Sequence, residues 1–415
     1  MTTEIPAFDA DIVRQLLPID PFDPAFQLDP YPVYRRIREE SGQIFRMPAG
    51  TTIVLSHELS SAIFKSPHFG FGDGPMISDQ FYPNPDGAPV RPLMFMDPPD
   101  HTRIRPLVNK AFTPRTVERL RGKAEQYVRE LLVTTVEEST DGTVDLMNSV
   151  LRPLSGLVIG DLLDVPQRYH QDFFAFSKES GRGLDPAFTL TPEQRAARDA
   201  ARGGFIAAGA EMVAERRIKP GDDLVSELVA VMAEGGERLT DLELSVTIMN
   251  LLAAGFSGIA ALTGNCTIGL LREPGQLAWF RDNTDQAAPV VEELLRMDPP
   301  LQLLIRSALA DTEVGGFTFA EGDHAVLLLG AANRDPEVYE NPDTLDLTRP
   351  ANRNLGFGHG IHFCVAAPIA RMAAQVALVE LVKHDLELVT EHPEHWPGMT
   401  LRTLGELPVR VRLAS

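Results

Sequence analysis

The chain has 415 residues, 44% of them hydrophobic and 23% charged, with a formal net charge of −20. That composition is ordinary for a folded globular protein and excludes the disordered, collagen-like and disulfide-scaffold classes. The acidic balance argues against a nucleic-acid binder, whose footprint should be basic. Two distant cysteines, Cys266 and Cys364, leave no CxxC pair for a zinc ribbon or a redox dithiol.

Residues 1–30 hold Asp9, Asp11, Asp20 and Asp23 among prolines, where a signal peptide needs a basic start and an apolar run. A cytoplasmic protein is expected, with this stretch as an N-terminal extension packed on the surface. Tyr31 to Arg38 opens a helical pattern, and Gln43 to Ser56 reads as a β-hairpin around Pro48-Ala49-Gly50. Pro67 to Pro92 follows as a long irregular segment, a kind usually functional in a compact domain. From His101 to Gly235 helical patterns dominate, broken at Pro114, Pro153, Pro166, Pro186, Pro192 and Pro220-Gly221.

Leu244 to Leu271 contains no charge and is long enough to span a bilayer. Asn250, Ser257, Thr263, Asn265 and several glycines interrupt it, so a helix buried in a large core is expected, and no membrane partner. A shorter helix around Val290 to Met297 stops at Pro299-Pro300. Phe317 to Gly330 carries hairpin and strand signals, Pro336 to Asn354 meanders, and Gly356 to Phe363 is glycine-rich. Ile369, Met372, Val376 and Val379 recur at helical spacing, and Val409, Val411 and Leu413 alternate as a strand. The expected architecture is one domain over residues 1–415, mainly α with a smaller β region.

Phe357 to Cys364 (FGHGIHFC) leads directly into that last amphipathic helix. A helix N-terminus favours a thiolate, and Gly358 and Gly360 permit close backbone approach, so a flat cofactor with a metal over the sulfur fits the pattern. Other readings compete at this level: an inert buried cysteine (the default for Cys266), a Cys/His hydrolase pairing Cys364 with His359 or His362, a zinc site, or a phosphate-binding loop.

The motif FGHGIHFC resembles the Phe-Gly-x-Gly-x-x-x-Cys signature of the cytochrome P450 family, the haem-thiolate monooxygenases. Glu293-Leu-Leu-Arg296 resembles that family's ExxR, with Arg349 as the third member of a Glu-Arg-Arg cluster. Asp97 to Arg105 (DPPDHTRIR) is similar to its C-helix segment, and Asn333-Arg334-Asp335-Pro336 is also family-like. The resemblance runs in order from about Tyr31 to Ser415. It implies a P450-like fold with haem b buried between a long central helix and the cysteine loop. It further implies Cys364 as the axial iron ligand, Phe357 and Gly358 against the haem, and His101, Arg105, Arg306 and His362 holding the propionates. Elementary chemistry agrees: Arg and His⁺ make charge-assisted bonds to carboxylates, and His101 and Arg105, at i, i+4, share a helix face.

The family's distal helix usually carries Ala/Gly-Gly-x-Asp/Glu-Thr, but this chain has Ala254-Gly255-Phe256-Ser257-Gly258. Gly255, Ser257 and Gly258 are therefore the expected catalytic positions, with both usual proton-relay groups missing. Ser257 can hold a water but cannot supply a proton at neutral pH as a carboxyl can. The implied activity is oxidation, by hydroxylation or epoxidation, of a small organic molecule, as in secondary metabolism, with substrate- or water-assisted proton delivery. Oxidative coupling, ring closure and peroxide-driven chemistry are alternatives, and a non-catalytic haem protein is a further one.

Phe69 to Pro92, Phe173 to Thr191, Leu252 to Ser257 and Leu301 to Ile305 are the expected substrate-contacting segments. Phe71, Leu252, Phe256, Leu303 and Leu304 are the expected pocket lining, hence a mostly apolar substrate. With no reductase domain in the sequence, electrons are expected from a ferredoxin and ferredoxin reductase acting on a monomer. Arg103, Lys110, Arg115, Arg119, Arg121 and Lys123 form the expected basic docking face.

Overall fold

The computed structural model describes residues 10–73, 81–82, 84, 89–110, 112–169, 181–186, 189–233, 239–350 and 353–414. Its longer helices are α1 (Tyr31–Ser41), α2 (His57–Lys65), α3 (Asp100–Asn109), α4 (Pro114–Glu138), α5 (Arg152–Leu163), α6 (Pro192–Ile218), α7 (Leu224–Ala233), α8 (Asp241–Leu271), α9 (Pro274–Asp282), α10 (Ala287–Met297) and α11 (Ala367–Leu381). The expected prolines act as starts rather than interior breaks: Pro114, Pro153 and Pro192 each occupy a first helical turn, where a missing N–H costs nothing. Thr113 and Thr191 cap two of these helices by accepting bonds from the N–H groups of Thr116 and Gln194.

The charge-free segment is the centre of α8. Thr240 and Glu243 form a reciprocal capping box at its start, which explains why the helix begins just upstream of the apolar run. By length and apolarity α8 could cross a membrane, but 67% of its most apolar stretch is buried inside the fold. It packs on α5, α6, α10 and α11, so helix packing accounts for its composition.

Ten strands appear among the described residues: β1 (Ile44–Arg46), β2 (Thr52–Val54), β3 (Phe69–Gly70), β4 (Thr143–Asp145), β5 (Leu303–Ala308), β6 (Thr312–Val314), β7 (Phe317–Phe319), β8 (His324–Leu328), β9 (Asp385–Leu388) and β10 (Pro408–Arg412). They form sheets of order β1-β2-β8-β5-β3, β4-β10-β9 and β6-β7. The expected hairpin is β1–β2, with Ile44 opposite Val54. Strands β3, β4, β5, β6 and β9 lie outside the sequence expectation, β3 within the stretch read as irregular. Strands β4 and β9 are short and largely polar, and only pairing with β10 holds them extended. Residues 10–30 are tied in more deeply than a surface extension: Val13, Leu17, Ile19 and Phe26 are buried in one core with Tyr34, Ile53 and Val326.

Helix α10 anchors the segment that carries the cysteine. Arg296 is fully buried and donates to both carboxylate oxygens of Glu293 at 2.8 Å. Its remaining donors reach the carbonyls of Asn333, Pro342 and Thr344, at 3.1, 2.7 and 3.1 Å. Arg349 closes the cluster, its Nε 3.0 Å from Glu293 Oε1. The side chain of Asn333 then accepts from Leu355 N–H at 2.7 Å, immediately before the glycine-rich loop. One guanidinium thus fastens the meander and, through Asn333, the entry to the cysteine loop. Glu293→Ala strands that guanidinium without a counter-charge and is expected to cost about 3–5 kcal/mol in a urea unfolding curve. An unchanged midpoint would show that the network is not structural.

A second buried group gives a pH signature. Burial, reinforced by Arg402 and Arg272 against Asp298, pushes the His395 pKa down to about 3. The unfolded chain takes up a proton here below about pH 6.5, whereas the folded chain stays neutral until near pH 3. Stability is therefore held above the ordinary histidine value and lost as pH falls through this window. His395→Leu is expected to flatten the pH slope of the unfolding free energy, between about pH 6 and 4, by nearly one proton.

Candidate active site: a cysteine loop beneath an open helix face

The loop from Gly356 to Cys364 is shaped by what its glycines allow. Gly358 and Gly360 both adopt φ +70, which L side chains rarely enter. A Cβ on Gly360 would lie 2.1 Å from the Phe64 carbonyl oxygen, so the loop can press on the end of α2 only with glycine there. Cys364 N–H donates to the Phe357 carbonyl at 3.0 Å, and Ala367 N–H donates to the Cys364 carbonyl at 3.3 Å. The sequence expectation was a thiol acidified by the N-terminus of α11. Instead burial pushes the Cys364 thiol up, outweighing the Ala366 and Ala367 N–H groups and the charges of Arg105 and Arg371. Helix and arginines alone do not make a thiolate here; a coordinated metal cation would.

Beside the loop lies a set of nitrogen donors. His101 of α3 and His362 of the loop are 4.4 Å apart between ring centroids. His101 Nε2 and both ring nitrogens of His362 are buried with no hydrogen-bond partner. Burial, with Arg306, His101 and Arg105, pushes the His362 pKa down to about 2; burial also lowers His101. Arg306 of β5 is 4% exposed, lies 4.2 Å from the Phe71 ring centroid and donates to the Ile305 carbonyl. It has no ion-pair partner among the described residues. Burying the histidine nitrogens without partners and the guanidinium without a counter-charge is costly, and an anionic group seated beside Cys364 would satisfy both. The donor set therefore fits a cofactor bearing carboxylates. Arg105, expected in the same role, instead donates to the Phe363 carbonyl at 2.5 Å and to Asn109 Oδ1 at 2.8 Å. It splints α3 to the cysteine loop.

Helix α8 presents Ala253, Ala254, Ser257 and Gly258 as a partly open face in the middle of a buried helix. The Ser257 hydroxyl donates to the Ala253 carbonyl at 2.8 Å, leaving its lone pairs free to accept. A Cβ on Gly258 would meet nothing within 4 Å, so this position is open. Gly255, grouped with these two in the sequence, points the other way: its Cβ would lie 2.5 Å from Ile159 Cδ1 of α5. Ser155 of α5 donates to the Phe256 and Gly255 carbonyls at 2.7 and 3.2 Å. Gly255 is thus a helix-packing residue rather than a catalytic one.

A cavity bordered by this face has mostly apolar walls, including Met94, Phe95, Phe205, Met249, Ala253 and Ala254, with Tyr82, Arg198, Arg202, Asn250 and Ser257 as polar members. The expected lining is largely elsewhere. Leu252 and Leu303 are core residues with at most 1% exposure, because Leu252 lies on the buried face of α8 and Leu303 inside the sheet. Leu304 packs against the core formed by Val54, Ile63 and Leu327, and Phe71 supports Arg306 and His362. Phe256 borders a separate small cavity with Ser257. Residues 74–80, 83 and 85–88 of the first expected segment, and 173–180 and 187–188 of the second, lie outside the described residues. Tyr82, Met94, Phe205 and Met249 went unnamed because their role needs α6, α8 and the segment before α3 to meet in space.

One polar contact below the loop also escaped the sequence. Glu292 accepts from Arg371 Nε at 2.5 Å, and Arg371 lies 4.5 Å from the Phe357 ring centroid, bracing the loop from α11. The expected basic face is largely neutralised: Arg103 pairs with Glu243 and Asp100, Arg119 with Asp222, Arg121 with Glu118 and Lys123 with Asp161. Lys110 and Arg115 stay exposed and outside any ion pair among the described residues. Ile361 and Phe363, 52% and 37% exposed, put apolar surface on the cysteine loop.

Residues 285–397 match the family model described as Cytochrome P450. Nocardicin C N-oxygenase of Nocardia uniformis subsp. tsuyamanensis is 35% identical over 94% of this chain and 97% of its own length. The 6-deoxyerythronolide B hydroxylase of Saccharopolyspora erythraea is 35% identical over 76% of each chain. Among solved structures, P450BioI in complex with hexadec-9Z-enoic acid ligated acyl carrier protein superposes with a TM-score of 0.82 at 29% identity. That match covers 94% of this chain and 99% of P450BioI.

Gly255→Ala is expected to destabilise the protein by about 1–3 kcal/mol through overpacking on Ile159. In a double-mutant cycle Ile159→Ala should show favourable coupling to it, because it removes the colliding atoms. A purely chemical role for Gly255 predicts no coupling.

Proposed function

This chain belongs to the cytochrome P450 family of haem-thiolate oxidoreductases, and we propose that it is a cytoplasmic monooxygenase hydroxylating or epoxidising a mostly apolar small molecule. The observation that carries this reading is the set of buried, unpartnered ring nitrogens of His101 and His362, with the buried Arg306 guanidinium outside any ion pair among the described residues, beside Cys364. In this reading Cys364 would bind the iron of haem b, and His101, His362 and Arg306 would hold its propionates. Thiolate-ligated haem, when bound, supplies the activation of dioxygen.

The protein's own contribution is positioning and proton supply. Arg105, Arg371 and Asn333 hold the loop so that the cysteine sulfur keeps its place. Apolar side chains above α8 orient the substrate and exclude bulk water, and their chemistry is the ground for a mostly apolar substrate. Ser257 accepts a hydrogen bond from a water, and the space beside Gly258 holds another or a substrate hydroxyl. The hydroxylase and the N-oxygenase among the relatives favour oxygen insertion. The Ser257-Gly258 pair keeps one further reading in view, oxidative coupling or ring closure. In support, the fold is similar to that of CxnD, a cytochrome P450 enzyme for C–S bond formation in chuangxinmycin biosynthesis, over 92% of this chain with a TM-score of 0.81.

Electrons come, in this reading, from a ferredoxin and its reductase to a monomeric enzyme. The docking patch is Lys110 and Arg115 with the apolar tips Ile361 and Phe363, rather than the full arginine row.

Cys364→Ser is expected to abolish the thiolate band in the ferrous carbon monoxide spectrum. Arg306→Leu and His362→Phe should keep the band but lose haem faster to apomyoglobin, by about tenfold for each lost charged or hydrogen-bonded contact. An unchanged band in Cys364→Ser would overturn the reading. Titration of the ferric protein with apolar alcohols and acids, read by the Soret spin shift, tests the substrate class. Electron transfer from ferredoxin should slow as ionic strength rises, less steeply than for a six-charge patch, and Lys110→Glu should slow it further. Salt-independent reduction would remove this docking patch.

A further inference from the structure

Ser257 lines two cavities, one on each side of its place in α8. One is the apolar substrate cavity. The other is small and bounded by Arg152, Phe256, Ala260, Trp396, Leu401 and Thr403. Trp396, Leu401 and Thr403 also line a third cavity, which carries the carboxylates Glu394 and Glu406 with Asn148 and Arg182. Glu394 and Glu406 are exposed, so this third cavity meets solvent. The three spaces share walls between the start of α5 and the loop before β10: Ser257 borders the first two, and Trp396, Leu401 and Thr403 border the second and third.

The two approaches to Ser257 differ in kind. Through the substrate cavity, water would share with the substrate a space whose walls are mostly apolar, with Tyr82, Arg198, Arg202 and Asn250 as its polar members. Along the lateral series it meets a buried threonine hydroxyl, a guanidinium and two surface carboxylates. Arg152 stands at the neck, its guanidinium 3.7 Å from the Trp396 ring centroid and donating to the Gly405 carbonyl at 2.9 Å. It also donates to the Leu404 carbonyl. These bonds fix Arg152 and Trp396 in the wall of the small cavity. At its inner end the Ser257 hydroxyl is already donated to Ala253, so Ser257 meets an arriving water as an acceptor.

We propose that water, with the protons it carries, reaches the Ser257 face by this lateral route, which replaces the acid–alcohol pair absent from α8. A water bonded to Ser257 Oγ passes one proton to the reaction side and takes one from the water behind it. Glu394 and Glu406 reload the series from bulk solvent, and only O–H bonds change. Thr403 and Arg152 are positioning residues for this water chain. A substrate can then fill the apolar cavity completely without cutting off its own proton supply.

The proposal rests on the haem-thiolate reading, so the ferrous carbon monoxide spectrum of the wild-type protein comes first. Absence of the thiolate band there overturns both. With the band present, exchange of water at the ferric site is read from solvent proton relaxation. Thr403→Leu, and independently Ala260→Leu from the opposite wall, fill the small cavity and are expected to slow exchange about tenfold. Ala253→Leu, which narrows the substrate cavity, should change it less than about twofold. The reverse pattern overturns the lateral route and leaves the haem-thiolate reading standing. Thr403→Val keeps the volume and removes the hydroxyl. It should raise the H2O/D2O ratio of electron consumption about twofold, with Thr403→Ser returning it to the wild-type value. An unchanged ratio in both overturns the proton role.

Discussion

A fully buried guanidinium is expensive unless every donor is used, and Arg296 uses its donors on a carboxylate and three backbone carbonyls. The rest of the site depends on that solution. Glu293 fixes the arginine from within one helical turn, Arg349 completes the carboxylate, and the carbonyls belong to the long irregular stretch before the cysteine loop. A meander with little secondary structure has no ladder of its own to keep it in place. The ion-pair cluster supplies that order, and Asn333 passes it on to Leu355 and so to the loop.

The two sides of the site are built on opposite principles. Below, the cysteine loop is over-determined: glycines at positive φ, the Phe64 carbonyl against Gly360, Arg105 on the Phe363 carbonyl and Arg371 against Phe357 all fix one geometry. Above, α8 is packed tightly through Gly255 and Ser155 on its α5 side and left open at Ala254, Ser257 and Gly258 on the other. A rigid sulfur and an uncrowded face suit a reaction in which position matters below and substrate and water must come and go above.

Electrostatics divides in the same way. Burial drives the histidines of the donor cluster and the Cys364 thiol toward their neutral forms, so the protein alone does not charge its own centre. Arg306 keeps a buried positive charge with an aromatic ring on its face. That asymmetry, one cation among neutral donors, suits a bound dianion far better than it suits water. On the surface most arginines near the cysteine loop are paired with acids, consistent with a chain whose excess charge is strongly negative.

Local chemistry determined what the sequence could disclose. The glycine spacing before Cys364, the Glu293–Arg296 interval and the β1–β2 hairpin are short-range patterns, and each is legible because its partners lie within a few residues. The family resemblance joined these into an ordered whole. Tertiary structure alone decided which way each side chain faces and what it meets. Gly255 became a packing residue because Ile159 is there, Arg105 a splint because Phe363 is there, and Leu252 and Leu303 core because helices and sheet close over them. Strands β4 and β9 exist only by pairing with β10, and the cavity wall joins residues more than a hundred positions apart. Helix and turn signals are written in neighbouring residues, whereas burial, pairing and pKa depend on distance in space, which one-dimensional spacing does not encode.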